Sequence, residues 1–332
     1  MSDSCSISRR KFLTRSTAVA AAGVLPLGAC VQQTANNTRA KTEVIDTSKA
    51  INTRAIPSTG EKLPLVGLGS PDFFYTTPED GNNDPAKAVI QAMYDAGGRM
   101  IDTPAFFRPD PPVVGPILQE MGIQDDLFLI GKITHEVESG RAAAINHIDT
   151  TISNLGRDQI DLMLLHNLND AENLWPVLQE AKAEGKVRYI GVSEATATIP
   201  NEVLEAFMRK SSPDFIMPSY SMFRPQIEER ILPLAADMGT AVVAIEVFKT
   251  YDDGSYFRDT AGKELPEWAA EFDCNSWAQF ALKYVLSHPT VTCTAVETSR
   301  PKNIIDNMGA ATGKLPDESL RQRMADHFYS LR

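Results

Sequence analysis

Three polar side chains stand where short apolar runs end: Asp102 after Met100-Ile101, Lys132 after residues 127–131, and His166 after residues 160–165. A carboxylate, an ammonium and an imidazole can together do acid–base work. The carboxylate holds the ammonium charged, and the imidazole hydrogen-bonds a bound carbonyl. Any one of them alone reads equally well as a structural charge at a strand end. Three converging from neighbouring strands would make a compact acid–base cluster. The same amine, beside Asp102 and His166, could instead form a Schiff base and give lyase-like chemistry.

The elements that must position this trio are legible as alternating patterns. Residues 160–165 run almost unbroken in apolar side chains, as a parallel strand buried on both faces does. Residues 146–158 before them carry apolar or alanine positions at helical spacing. The alternation continues through residues 54–332. Strands are expected at 63–68, 100–101, 127–131, 160–165, 187–193, 215–217, 241–245 and 291–296. Helices are expected at 84–96, 112–121, 141–155, 174–184, 201–209, 228–238 and 276–286. Eight βα units predict an α/β fold, the (β/α)8 TIM barrel, whose chemistry sits at the C-terminal strand ends. Gly67-Leu68-Gly69 opens like a dinucleotide fingerprint, but Asp72 stands where its third glycine belongs. These glycines are expected to permit a tight barrel rim.

The front end is of another kind. Ser8-Arg9-Arg10-Lys11-Phe12-Leu13 followed by the small, weakly apolar residues 16–27 resembles a twin-arginine export signal. Leu27-Gly28-Ala29-Cys30 resembles a lipobox, which would lipidate Cys30 and make it the new N-terminus; cleavage after Ala29 is the alternative. Residues 1–30 are therefore expected to be a signal peptide, 31–53 a polar tether and 54–332 the folded domain. This places the protein in the periplasm, with Cys30 as its only route to a membrane, since no later segment is apolar enough to span one. A net charge of −11 argues against a nucleic-acid surface. Cys5 and Cys30 fall in the leader, leaving Cys274 and Cys293 as expected buried thiols.

Over residues 55–330 the chain resembles the aldo/keto reductases. The resemblance rests on 56–60 with 66–69, on Gly98-Arg99-Met100-Ile101-Asp102-Thr103, on Gly185-Lys186-Val187-Arg188-Tyr189-Ile190-Gly191-Val192-Ser193, and on Leu282 to Pro289. It implies carbonyl reduction with NADP(H), in a barrel that lacks a Rossmann domain. It also implies a catalytic Asp, Tyr, Lys and His, in which the Tyr hydroxyl protonates the product oxygen, the Asp-held Lys lowers the Tyr pKa and the His orients the substrate. Asp102, Lys132 and His166 match three of these places.

The fourth place, five residues after the aspartate, is Phe107. Phenylalanine has no proton to give, and general acid catalysis is worth about 10²–10⁴-fold in rate. Phe106 is no rescue; Tyr75, in the loop after the first strand, is expected to face the same rim and could substitute, and His166 could donate but would have to serve twice. The cofactor cradle departs too. Ser193 matches the family's Ser, but Glu194 and Met217 replace the Asn and Gln that grip the carboxamide. Val296-Glu297 replaces the Pro-Gly of the phosphate loop, where a carboxylate would repel a pyrophosphate. Thr298, Ser299, Arg300 and Asn307 still resemble the phosphate side, and Tyr220 on the rim would offer a stacking face. Two functions follow as expectations. One is an exported NADP(H)-dependent reductase of a small carbonyl substrate with a divergent, impaired site. The other is a non-catalytic barrel, without cofactor, whose mouth (Phe73, Phe74, Tyr75, Phe106, Phe107) holds an apolar ligand or a partner.

Overall fold

The computed structural model describes residues 50–70, 82–104, 114–134, 140–194, 199–249 and 256–332. The expected signal and lipobox, the tether up to residue 49, and Phe73, Phe74, Tyr75, Phe106 and Phe107 lie outside the described residues.

The chain enters through an antiparallel hairpin, β1 (Thr53–Ala55) with β2 (Lys62–Pro64). Eight parallel strands then close into a barrel: β3 (Val66–Leu68), β4 (Met100–Asp102), β5 (Phe128–Ile133), β6 (Ile160–His166), β7 (Val187–Glu194), β8 (Phe215–Pro218), β9 (Ala241–Ala244) and β10 (Val291–Val296), which pairs back onto β3. The surrounding helices are α1 (Asp84–Asp95), α2 (Val114–Met121), α3 (Arg141–Asn154), α4 (Ala171–Ala183), α5 (Asn201–Ser211), α6 (Ile231–Met238), α7 (Tyr256–Thr260), α8 (Trp277–Ser287), α9 (Pro301–Gly309) and α10 (Glu318–Ser330). The (β/α)8 barrel expected from the pattern is the fold.

Strand parity sets what faces where. Met100, Phe128, Ile130, Leu162, Leu164, Tyr189, Phe215, Val243 and Cys293 fill the barrel interior. Ile101, Leu129, Met163, Leu165, Ile190 and Val242 face the helix layer. Asp102, Lys132 and His166 each lie two residues beyond an interior residue of the same strand, so all three continue the inward parity. That arithmetic positions the site.

Four local expectations are corrected. The run 63–68 is not one strand, because Pro64 has no N–H for a ladder. The chain bends at Leu65, giving 62–64 to the hairpin and 66–68 to the barrel. Nor does the tether reach residue 53: Asn52 N–H donates to Ala311 O (2.7 Å) and Thr53 begins β1. The expected helix 228–238 starts at Ile231, after a 3₁₀ turn at Pro225–Glu228. Pro233 thereby falls in the first turn, where its missing N–H costs nothing. Finally, α10 adds a helix that the eight-unit pattern did not anticipate, burying Met324 and Phe328. Cys274 and Cys293 are free and buried, and burial pushes both thiols up to about 12.

The hairpin lies across the N-terminal end of the barrel. Arg54 donates to the carbonyls of Leu286, His288 and Val291. Arg188 bridges Glu61 of the hairpin loop to Asp161 at the start of β6. Asp161 also accepts from Leu129 N–H at 2.9 Å. The opposite, C-terminal end is left open for the site.

Candidate active site

The C-terminal strand ends surround a cavity of about 620 Å³ lined by Asp102, Lys132, His166, Ser193 and Met217 on one side, and by residues 245–249 and 295–299 on the other. The Lys132 ammonium donates to Asp102 Oδ1 and, at 2.8 Å, to the carbonyl of Thr103. Both side chains are nearly buried. Burial pushes the Asp102 carboxyl up, while the Lys132 charge and the Ser70 hydroxyl pull it back. Ser70 Oγ donates to the Asp102 carbonyl at 2.7 Å and lies 3.3 Å from Oδ2. From α3, His147 Nε2 reaches the Lys132 carbonyl at 2.9 Å and pins the tip of β5. Ser70 and His147 are supports that the sequence pattern did not reveal.

His166 Nδ1 lies 2.8 Å from Ser193 Oγ. Burial, then the nearby Lys132 charge, lowers its pKa to about 4, so the ring is neutral at pH 7. The unfolded chain therefore binds more protons than the folded one between about 4 and the ordinary 6.5. This contribution to stability is complete above about pH 6.5 and is lost as pH falls toward 4. His166→Asn is accordingly expected to shallow the fall of the urea midpoint over that window. A slope identical to the parent's would contradict the assignment.

The cradle residues divide. Ser193 and Met217 share the inward parity of Tyr189 and Phe215 and line the cavity. Glu194 has the opposite parity and does not. It is buried, and its carboxylate accepts from the Ile199 and Ser219 N–H groups, both at 3.4 Å. Its expected place at a carboxamide is corrected on that ground. Tyr220 is also corrected: it is fully buried outside the cavity. Beyond β8 the chain turns outward, so the Tyr220 hydroxyl donates to Glu228 (2.6 Å) and accepts from Arg321 of α10 (3.0 Å). Thr298 and Ser299 line the cavity; Arg300 is exposed at the head of α9, and Asn307 is buried on that helix, neither on the lining. Glu297 does line it but is solvent-exposed, so water and salt screen the repulsion expected of it.

Sequence reasoning missed Glu246. It follows β9 with φ 58°, a left-handed conformation costly for a residue with a side chain. Burial alone would push its carboxyl up. Lys249, Ser219 Oγ (2.6 Å) and Arg224 (3.0 Å) instead hold it below the usual range. The signal was available, since Glu246 ends an apolar run as the trio does.

A dinucleotide fits these residues in part. The N-terminus of α9 follows directly on Thr298 and Ser299, and helix N-termini favour phosphate. At the carboxamide end, Ser193 keeps lone pairs for an N–H donor, and Met217 offers a soft apolar surface. Gly69 stands where β3 meets β10, and a Cβ there would lie 3.1 Å from the Glu297 nitrogen. The rim is as tight as its glycines suggested.

Comparison with known proteins agrees with this geometry. The sequence model of the aldo/keto reductase family matches residues 66–324. The chain is 28% identical to the aldo-keto reductase YhdN of Bacillus subtilis over 195 residues, 55% of this chain and 58% of that protein. It is 30% identical to an aldo-keto reductase of Mycolicibacterium smegmatis over 139 residues, 40% of this chain and 47% of that one. The matched stretch thus spans about half the length of these two relatives. A glyoxal reductase of Bacillus subtilis matches at 25% over 79% of this chain and 88% of its own. An aldo-keto reductase from Klebsiella pneumoniae, solved in complex with NADPH, superposes with a TM-score of 0.62 at 21% identity, covering 84% of this chain and 95% of that one.

Proposed function

Because the chain belongs to the aldo/keto reductase family, we propose that its barrel mouth reduces the carbonyl group of a small molecule with NADP(H). The observation that carries this reading is the Asp102–Lys132 ion pair and the neutral His166 on the wall of one cavity. NADPH bound along Ser193, Met217 and the head of α9 would supply the hydride. The chain's own residues do the rest. Asp102 holds the Lys132 ammonium in place, and His166 and Lys132 point donors at the carbonyl oxygen. Met217, Ile245, Val247 and Phe248 give the substrate body an apolar wall. Mass spectrometry of small molecules released from the folded protein tests this. NADP(H) is the expected species, and its absence, with no quenching of tryptophan fluorescence on NADPH titration, sinks the reading.

The apolar half of the cavity favours one second reading, a non-catalytic barrel holding an apolar ligand. On that reading Asp102→Asn leaves ligand affinity intact.

The leader adds a location. We propose export of the folded protein by the twin-arginine route and lipid anchoring at Cys30 in the periplasm, supported by Arg9-Arg10 and by Leu27 to Cys30. Cys30→Ala is expected to move the protein from the membrane to the soluble periplasmic fraction. Soluble parent protein beginning at Cys30, without lipid, would favour simple cleavage after Ala29.

A further inference from the structure

Five residues after Asp102 the sequence carries phenylalanine where the family resemblance implies a phenol, so the proton that neutralises the product oxygen is sought among the described residues. Aliphatic hydroxyls are far weaker acids than a phenol: Ser70 Oγ donates to the Asp102 carbonyl, Thr298 Oγ1 accepts from Arg300 N–H and keeps its own hydrogen, and Ser299 also lines the cavity. Ser193 is fully buried, and among the described residues its hydroxyl hydrogen meets one acceptor, His166 Nδ1. A buried hydroxyl takes the acceptor that it has. Nδ1 therefore accepts, Nε2 carries the ring hydrogen, and the neutral imidazole is an orienting donor and a feeble acid.

Lys132 differs. An ammonium has three N–H bonds; one goes to Asp102 and one to the Thr103 carbonyl, while Lys132 itself lines the cavity. Asp102 from β4 and His166 from β6 are its charged or titratable neighbours on this side of the cavity, and Glu246, Lys249 (paired with Glu246) and Glu297 line the other side. An alkylammonium and a phenol are acids of nearly equal strength, ordinarily about 10.4 and about 10.

We propose that Lys132 is the general acid of this site, donating its third proton directly to the substrate oxygen. As hydride reaches the carbonyl carbon, the C=O π pair moves onto oxygen. An Nζ–H bond breaks and an O–H bond forms. The neutral amine left behind has two N–H bonds, which match the Asp102 and Thr103 acceptors already in place. Solvent water returns the proton after the alcohol leaves. The inference rests on the reading that this cavity reduces carbonyls.

The test uses the full-length protein with NADPH and 4-nitrobenzaldehyde. Lys132→Arg, which keeps the charge without a usable acid, is expected to lose about 10²–10⁴-fold in kcat. Lys132→Cys alkylated with 2-bromoethylamine restores a less basic amine. It should recover turnover with the alkaline limb of kcat moved to lower pH. A restored enzyme with an unmoved limb, or an active Lys132→Arg, overturns the proposal. Phe107→Tyr should raise kcat by less than about tenfold, because an acid is already present; a gain of about 10²–10⁴-fold would show that the parent has none. Without nucleotide, 4-nitrobenzoate should shift the Lys132 Nζ resonance in ¹⁵N-lysine spectra, and no shift at saturation counts against the contact. Parent protein that holds NADPH yet transfers no hydride sinks the reductase reading itself, a result distinguishable from all of these.

Discussion

On the proposed reading, Asp102→Asn is expected to lower the rate of NADPH-dependent carbonyl reduction by about 10²–10⁴-fold, on the order of 3–5 kcal/mol of barrier, while the protein stays folded and NADPH binding is kept. The carboxylate does two things that an amide cannot do. It accepts from the Lys132 ammonium as a charged partner, and it fixes the position of that ammonium in a buried setting. Asparagine keeps the shape and the Ser70 contact but holds the amine no more strongly than the Thr103 carbonyl does. The loss should fall on kcat, because the pair acts on the reacting oxygen and lies away from the head of α9. Steady-state kinetics with fluorescence-monitored NADPH binding separate the two. A KM effect with kcat unchanged would place Asp102 in binding alone.

The second large effect concerns the other end of the same barrel. Asp161→Ala is expected to cost about 3 kcal/mol of stability with the site chemistry intact. Asp161 is 2% exposed, accepts from Leu129 N–H at 2.9 Å and pairs with Arg188 at 2.7 Å. Truncation leaves a buried N–H without an acceptor and removes the link through Arg188 to Glu61 of the hairpin loop. Arg188 is itself partly exposed and can turn to water, which keeps the cost below that of a fully buried pair. The urea midpoint should fall with the denaturant slope unchanged. A midpoint within experimental scatter of the parent's would mean that β5 and β6 hold their register without this bond.

The two ends were not equally legible in the sequence. Asp102, Lys132 and His166 could be found because each terminates an apolar run. A strand's alternation carries inward parity one residue beyond its last packed layer. The same arithmetic would have turned Glu194 outward and kept Ser193 inward. The family resemblance drew attention to the position of Glu194 rather than to its parity. Tyr220 lies past the end of β8, where no periodicity applies and the outward turn of the chain decides, whereas Glu246 ends an apolar run as the trio does and could have been found the same way. The hairpin of β1 and β2 was hidden because Pro64 interrupts a run that reads as one strand. The supports from Ser70 and His147 depend on contacts between segments distant in the chain, which a local pattern does not contain.

The departures at the mouth are not equivalent. Glu194 leaves the cavity by parity and Glu297 is screened by water, so two of the four substitutions weaken cofactor contact less than their chemistry suggests. Met217 stays on the wall and gives the site an apolar seat.

Hydride transfer from NADPH to a carbonyl at this mouth is tested most directly by mass analysis of the alcohol formed from 4-nitrobenzaldehyde and NADPH deuterated at the transferable C4 position. The expected product is an alcohol carrying deuterium with the parent protein, and a yield lower by about 10²–10⁴-fold with Asp102→Asn. Folded parent protein saturated with NADPH that returns no deuterated alcohol would contradict it.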